Sequence, residues 1–186
     1  DYDAPIGDPG RFGPDTVTWR IHSDFPGMLA GGLCALMLQA LHPRVLAGVW
    51  DHSDFRDDLV GRLRRTTAFV AGTSFAGSAA ADGLIARVRM IHVHVRGTTA
   101  DGEGYAADDP ALLSWVHASE AYAFLQGFQR YGGLAVPAWA QDRYCREGVG
   151  VARALGAIEV PADRAALDAY FAAQVPGLRH DARSRE

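Results

Sequence analysis

The sequence contains very little cysteine and no lysine or asparagine. Two cysteines in 186 residues, Cys34 and Cys145, are too few for a disulfide framework. Both fall in predicted helices and are expected to be reduced, partly buried thiols, which favours a cytoplasmic protein. No zinc-ribbon spacing, phosphate-binding glycine loop or nucleophile elbow occurs, so the short motifs of those protein classes are absent.

Charge and hydrophobicity are ordinary for a globular protein. The formal net charge is −4 and no basic block occurs, so nucleic acid is not an expected partner. Hydrophobic residues make up 48% of the chain and charged residues 22%, which is enough to build one core at this length. These features leave the oligomeric state open.

One long apolar run, from residue 27 to residue 41, has Gln39 as its clear polar interruption. It is shorter than the roughly 20 residues that a bilayer requires, and prolines bracket it. We therefore expect a buried helix at the centre of the domain and no transmembrane segment. Peripheral membrane contact stays open, because hydrophobic substrates often reside in membranes. The residues expected to be deeply buried are Leu33, Leu36, Met37, Ala40 and Leu41.

Helical periodicity extends along nearly the whole chain, and no alternating strand pattern of any length competes with it. The clearest start signal is Asp109-Pro110, which should open a helix that runs to Tyr131. Other helices are expected at residues 17–22, 27–41, 45–50, 57–72, 78–97, 137–155 and 163–174, with a polar loop at 98–108. The predicted fold is all-α, a single-domain helical bundle around a central apolar helix. Residues 1–24 would form an arm and residues 25–186 the helical domain.

The most informative segment surrounds His92. One face of its predicted helix carries four residues at helical spacing, which are Ile85, Val88, His92 and Val95. A neutral imidazole in such an apolar stripe must find a hydrogen bond or a metal. Arg89 and Arg96 lie one turn to either side and bring charge near it. His94, two positions along, should face solvent.

An upstream helix offers a matching polar face, formed by Arg62, Thr66, Phe69 and Thr73. A buried histidine opposite arginine and threonine suits a planar, anionic, metal-containing ligand. Haem is the obvious candidate, because its iron takes an imidazole and its propionates pair with arginines. The alternative is a core histidine bonded to a backbone carbonyl, with the arginines at the surface. Spacing alone favours that alternative.

Two other histidines are candidates for the same site. His42 ends a helix, where capping of carbonyl groups is the usual role. His117 is either a buried hydrogen-bonding residue or approaches the site together with Ser119. A non-haem metal site built from His42, His92 and His117 is a further alternative. No tight ligand spacing, such as His-Glu-x-x-His, supports it.

Five ordered blocks give the chain a family resemblance from about residue 27 to its end. They are Leu38-Gln39-Ala40-Leu41-His42-Pro43, His52-Ser53-Asp54-Phe55, Arg62-Leu63-Arg64-Arg65-Thr66, Arg89-Met90-Ile91-His92-Val93-His94-Val95-Arg96-Gly97 and Trp115-Val116-His117-Ala118-Ser119. With these blocks the chain resembles the MpaB-type oxygenase family, which includes the rubber oxygenase known as latex-clearing protein.

The resemblance implies a b-type haem. In the latex-clearing branch the histidine of an Arg-x-x-His motif is the proximal haem ligand, and that motif falls here on Arg89 and His92. An Arg-x-x-Lys-Thr motif borders the haem on the other side and falls on Arg62, Arg65 and Thr66. We therefore expect His92 to bind iron and Arg65 and Thr66 to be catalytic. The expected cofactor-binding residues are Arg62, Thr66, Arg89 and Ser119.

Two departures from the family pattern bear on the activity. The lysine that can occupy the distal iron position is Arg65 here, and a guanidinium that stays protonated is a poor iron ligand. The glutamate proposed as a base should lie in the first third of the domain, yet the first glutamate is Glu103. Asp51 and Asp54 are the nearby acids. The resemblance thus supports haem binding better than it supports rubber cleavage.

The expected function is that of a haem-dependent oxygenase acting on a small apolar substrate, with a carbon–carbon double bond implied by the resemblance alone. One alternative is a haem- or lipid-binding helical protein without turnover, which the missing lysine and glutamate favour. Another is a helical protein with an incomplete site. Family members continue with further helices, so the domain is expected to be incomplete at its C-terminus.

Overall fold

A computed structural model describes residues 7–180 and 182–185, and helices dominate it. Residues 1–6 of the predicted arm therefore lie outside the described residues, as do Asp181 and Glu186 of the predicted domain. The helices are α1 (Val17–His22), α2 (Phe25–Ala40), α3 (Pro43–His52), α4 (Leu59–Phe75), α5 (Ser78–Val93), α6 (Pro110–Tyr131), α7 (Ala138–Leu155), α8 (Arg164–Gln174) and α9 (Ala182–Arg185), with a 3₁₀ turn at Val175–Gly177. Strands β1 (Arg96–Thr98) and β2 (Gly104–Ala106) form an antiparallel pair. The all-α prediction is confirmed.

Most helices begin and end where local signals place them. The Asp109 carboxylate accepts a hydrogen bond of 2.9 Å from the Ala111 amide at the start of α6. The Asp163 carboxylate accepts a hydrogen bond of 2.7 Å from the Ala166 amide at the start of α8. Gly156 ends α7 with φ +117°, a left-handed conformation that favours glycine. These interactions span one turn, which is why the sequence predicts them.

The helix that carries His92 ends earlier than predicted. α5 stops at Val93, and Gly97 lies in β1, where its backbone pairs with that of Tyr105. The expected loop is therefore a hairpin, and its turn uses Gly102 at φ +90°. Pairing with β2 supplies hydrogen-bond partners that compete with the last helical turn, so the prediction of a helix to residue 97 was wrong.

The centre of the molecule is α6. Its buried residues are Leu112, Leu113, Ser114, Trp115, Ala118, Ser119, Ala121, Ala123, Phe124, Leu125, Gly127 and Phe128. α2 packs closely along it through small residues. A Cβ added at Gly31 would lie 2.7 Å from the carbonyl oxygen of Ala123, so the two backbones approach more closely than larger side chains would allow. α6 thereby replaces α2 as the central helix.

The apolar run that forms α2 is consequently not the core. α2 buries only Gly27, Gly31 and Ala35, because the close contact with α6 uses its small face. The large residues turn away from that contact, and Leu33 and Met37 are 47% and 73% exposed. None of the five residues expected to be deeply buried is buried, namely Leu33, Leu36, Met37, Ala40 and Leu41. That core prediction was wrong.

No single helix among those that the structure describes is long and apolar enough to cross a bilayer. α2 and α3 pass the same criterion of length and composition only as a pair, and they are bent by 104° at the break between them.

Candidate functional site

A cavity of about 640 Å³ lies among α4, α5, α6 and α7, a volume within the range of roughly 300–1,000 Å³ typical of small-molecule and cofactor sites. Its lining residues run from Arg62 to Ser74 along α4 and from Leu112 to Phe124 along α6. At a rise of about 1.5 Å per residue, either span is about 18 Å long. The cavity is therefore elongated, with largely apolar walls.

His92 lies at one end of this cavity. Only Ala76 and Gly77 connect α4 to α5, and the two helices are in contact. Arg62, in the first turn of α4, and His92, in the last turn of α5, both line the cavity. Arg62 bonds to Ser53, and the adjacent His52 bonds to the Arg96 carbonyl oxygen just after α5, so Arg62 and His92 lie towards the same end. The Nδ1 atom of His92 is buried and has no hydrogen-bond partner among the described residues. Burial lowers the pKa of His92, which favours a neutral imidazole able to bind a ligand.

Three residues of α4 line the same end. The Arg62 guanidinium donates a hydrogen bond of 2.8 Å to the Ser53 hydroxyl, and in the described part of the chain no carboxylate pairs with it. Burial, with a smaller effect from the charge of Arg65, lowers the pKa of Arg62. Thr66 follows one turn later. Arg65 is more exposed and pairs with Asp58 at 3.4 Å, so it lies at the rim. Sequence reasoning placed these side chains together, and the structure does so.

Arg89 and Ser119 do not line the cavity. Arg89 is exposed and donates a hydrogen bond of 3.2 Å to the carbonyl oxygen of Ala154. Ser119 is fully buried, donates to the Val116 carbonyl at 2.7 Å and accepts from the Gln39 amide at 3.1 Å. Gln39 itself lines the cavity, so its hydrogen bond connects Ser119 to the lining. A direct role of Arg89 or Ser119 in cofactor binding stays a prediction.

The alternative site of three histidines is not assembled. His42 does not line the cavity, although His92 and His117 do. The buried Nδ1 of His42 has no partner among the described residues, and its ring lies 6.1 Å from that of Trp115, whose Nε1 is also unpartnered. His42 precedes α3 but makes no side-chain capping bond. In residues 7–180 and 182–185, no three His, Cys, Asp or Glu side chains are placed to hold a metal ion.

The two aspartates near the first blocks differ in position. Asp54 lines the cavity. Asp51 instead accepts a hydrogen bond of 2.7 Å from the Tyr105 hydroxyl, which occupies one of its oxygens. Of the two acids that sequence analysis considered in place of the missing glutamate, only Asp54 therefore faces the cavity.

A hydrogen-bonded network closes the opposite end of the cavity. The Ser74 hydroxyl donates to the Val70 carbonyl at 2.7 Å, so its oxygen accepts from His22 Nδ1 at 2.6 Å. His22 Nε2 then accepts from the Tyr144 hydroxyl at 3.0 Å. Burial lowers the pKa of His22 to about 4 and raises that of Tyr144 well above its usual value. Both side chains are therefore neutral.

α6 contributes two further polar residues, His117 and Glu120, one turn apart and both lining the cavity. Neither makes a hydrogen bond or ion pair with the residues that the structure describes. Burial lowers the pKa of His117 to about 4 and raises that of Glu120 to about 7. The charge of Glu120 also contributes to the raised pKa of Tyr144, so this carboxyl belongs to the Tyr144 side of the cavity.

Sequence reasoning did not predict a role for Glu120, His22 or Tyr144. A signal existed for Glu120, because it shares a helical face with apolar residues of α6. No local signal could have joined His22 to Tyr144, since 122 residues separate them.

A family model described as "ER-bound oxygenase mpaB/B'/Rubber oxygenase, catalytic domain" matches residues 19–186. The matched segment includes most of α1 and all of the later elements that line the cavity. No curated protein and no solved structure matches the chain.

Proposed function

Because the chain belongs to the family of the mpaB and rubber oxygenase catalytic domains, we propose that it is an oxygenase that holds haem b in its cavity and acts on a small apolar substrate. One observation carries the proposal. The unpartnered imidazole of His92 lies in a largely apolar cavity, at the end where the half-buried Arg62 has no carboxylate partner among the described residues. Iron takes an imidazole and propionates take guanidinium groups, so the donor set fits haem.

The residues at this end suit the chemistry of such a group. His92 would bind the iron and Arg62 would pair with a propionate. When bound, haem would supply the activation of molecular oxygen that an oxygenase requires. The Thr66 hydroxyl and the Arg65 guanidinium would donate hydrogen bonds at the rim, and Arg65 would not act as a ligand because it stays protonated.

The walls of the cavity favour an apolar substrate. α5 contributes Val88 and Ile91, the segment just after it contributes Val95, and α6 contributes Leu113 and Val116. Burial of apolar surface is worth roughly 25 cal/mol per Å², so these walls would bind a hydrocarbon chain and exclude water.

Haem reconstitution of matched histidine variants tests the proposal. The wild type should acquire a Soret band, and His92→Ala should lose it while its circular dichroism stays helical. His94→Ala is the control, because His94 is exposed and two residues along a helix is a rotation of about 200°. Haem retention by His92→Ala together with loss by His94→Ala would contradict the assignment of the iron ligand.

A second candidate function is haem or lipid binding without turnover, which the replacement of the family lysine by Arg65 favours. Oxygen uptake with an unsaturated apolar substrate separates the two. The oxygenase proposal predicts uptake that requires both haem and His92. A haem-loaded protein that binds the substrate but consumes no oxygen would support the second candidate.

A further inference from the structure

We infer that the end of the cavity formed by Glu120, His117 and Tyr144 is a subsite for a hydroxyl group carried by an otherwise apolar substrate. The inference rests on the proposed function in one respect, since it takes the cavity to be the substrate site. It adds the substrate class, which is a long-chain alcohol and not a plain hydrocarbon.

Glu120 lies nearer to the His22 end of the cavity than to the His92 end. The ring of Phe124, one turn further along α6, lies 5.4 Å from the ring of His22. Leu112, at the other end of the lining face, packs with Ala47 and Tyr105 near β2. At about 1.5 Å per residue, Glu120 is about 6 Å along the helix from Phe124 and about 12 Å from Leu112. It therefore lies towards the end that contains His22, away from the end that contains His92.

Two polar side chains, Glu120 and His117 one turn before it, have no hydrogen-bond partner among the described residues. Both line the cavity. Tyr144 donates its proton to His22, so its oxygen can still accept a hydrogen bond. The side chains of Glu120 and His117 are half-buried, and polar groups that face a cavity without a protein partner are often found where a ligand binds.

A ligand group that satisfies Glu120, His117 and Tyr144 must match their charge and their hydrogen-bonding capacity. Burial keeps His22 and His117 unprotonated and Tyr144 protonated. The charge of Glu147 also acts on Tyr144, but Glu147 does not line the cavity and is paired with Arg143. A hydroxyl group can donate to the carboxylate of Glu120 while it accepts from the N–H of a neutral His117, and it can accept from Glu120 when that residue is protonated. A carboxylate on the ligand would meet the charge of Glu120, because the described arginines that line the cavity, Arg44, Arg62 and Arg65, lie towards its other end. A hydroxyl group fits both protonation states.

The subsite is tested with ligands that share one hydrocarbon chain and differ only in the polar group at its end. They are myristoleyl alcohol, its methyl ether and the corresponding primary amine, and the affinity of each is measured by its displacement of a fluorescent long-chain ligand. The methyl ether has no hydroxyl proton and cannot donate the hydrogen bond that the alcohol donates. The wild type should therefore bind the alcohol about tenfold more tightly than the ether. Glu120→Leu should reduce alcohol binding to the level of the ether and leave ether binding unchanged.

Two further variants serve as controls. Glu120→Gln should retain most of the preference, because an amide can accept the same hydrogen bond. Glu159→Leu alters an exposed glutamate outside the cavity and should change nothing. Circular dichroism checks that each variant is folded.

Three results would overturn the inference. They are equal binding of alcohol and ether by the wild type, an alcohol preference that survives in Glu120→Leu, and tighter binding of the amine than of the alcohol. Each of them leaves the proposed function in place if the apolar chains still bind. If no probe binds, the cavity is not a substrate site, and the proposed function fails together with the subsite.

Discussion

Substitution of Glu120 by glutamine should change how the free energy of unfolding depends on pH. Burial raises the pKa of this carboxyl from its ordinary value of 4.5 to about 7. The folded protein therefore holds the proton more tightly than the unfolded chain does. The stabilising effect of protonation is complete below pH 4.5 and is lost as the pH rises to about 7. At about 1.4 kcal/mol per pH unit, the ionised carboxyl costs roughly 3.5 kcal/mol above that range.

Urea denaturation of the wild type and Glu120→Gln at pH 5 and pH 8 measures this cost. A glutamine does not ionise, so the advantage of the variant over the wild type should grow by roughly 2.5 kcal/mol between the two pH values. His22 and His117 oppose this trend in both proteins. Their lowered pKa values stabilise the folded state above pH 6.5, and that stabilisation is lost as the pH falls towards 4. Because both proteins contain them, their contribution cancels in the difference.

A difference in stability that stays constant from pH 5 to pH 8 would refute the reasoning, because it would mean that Glu120 is solvated or paired. Glu159→Gln is the matched control. Glu159 is exposed, so its substitution should shift stability by less than about 0.5 kcal/mol at either pH.

Two other predictions concern packing and hydrogen bonding. Gly31→Ala should lower the free energy of unfolding by about 1–3 kcal/mol, because its Cβ would lie 2.7 Å from the Ala123 carbonyl oxygen. Gly83→Ala, where a Cβ meets nothing within 4 Å, should raise it by about 0.5–1 kcal/mol, and equal effects in thermal melts would argue against the close α2–α6 contact. Tyr144→Phe should cost about 1–3 kcal/mol, since it leaves His22 Nε2 buried without a donor, and a fully stable variant would show that this hydrogen bond is not made.

The polar groups of the cavity reduce the stability of the fold. His92 has an unpartnered buried nitrogen, and His117 and Glu120 have no hydrogen bond to the described residues. Each such group costs free energy that an apolar residue of similar size would not. Groups of this kind concentrated around one cavity are typical of a binding site, where a ligand satisfies them.

Local interactions explain what the sequence determined by itself. Asp109 and Pro110 begin α6, and Gly156 ends α7, because caps and left-handed turns depend on residues within one turn. The helical spacing and the family motifs likewise indicated that His92 and Arg62 would meet. Only Ala76 and Gly77 join α4 to α5, so short-range connectivity keeps the two helices adjacent, while packing sets the angle between them.

Tertiary packing decided which side of each helix is covered. α2 is apolar all round, so its sequence could not show that Gly31 would face α6 and Met37 would face outward. That choice depends on the complementary small residues of a helix about 90 residues away. The same holds for the polar end of the cavity, where His22, Ser74 and Tyr144 come from three different helices. Their hydrogen bonds arise only once the helices have packed, because no local pattern specifies a partner 122 residues distant.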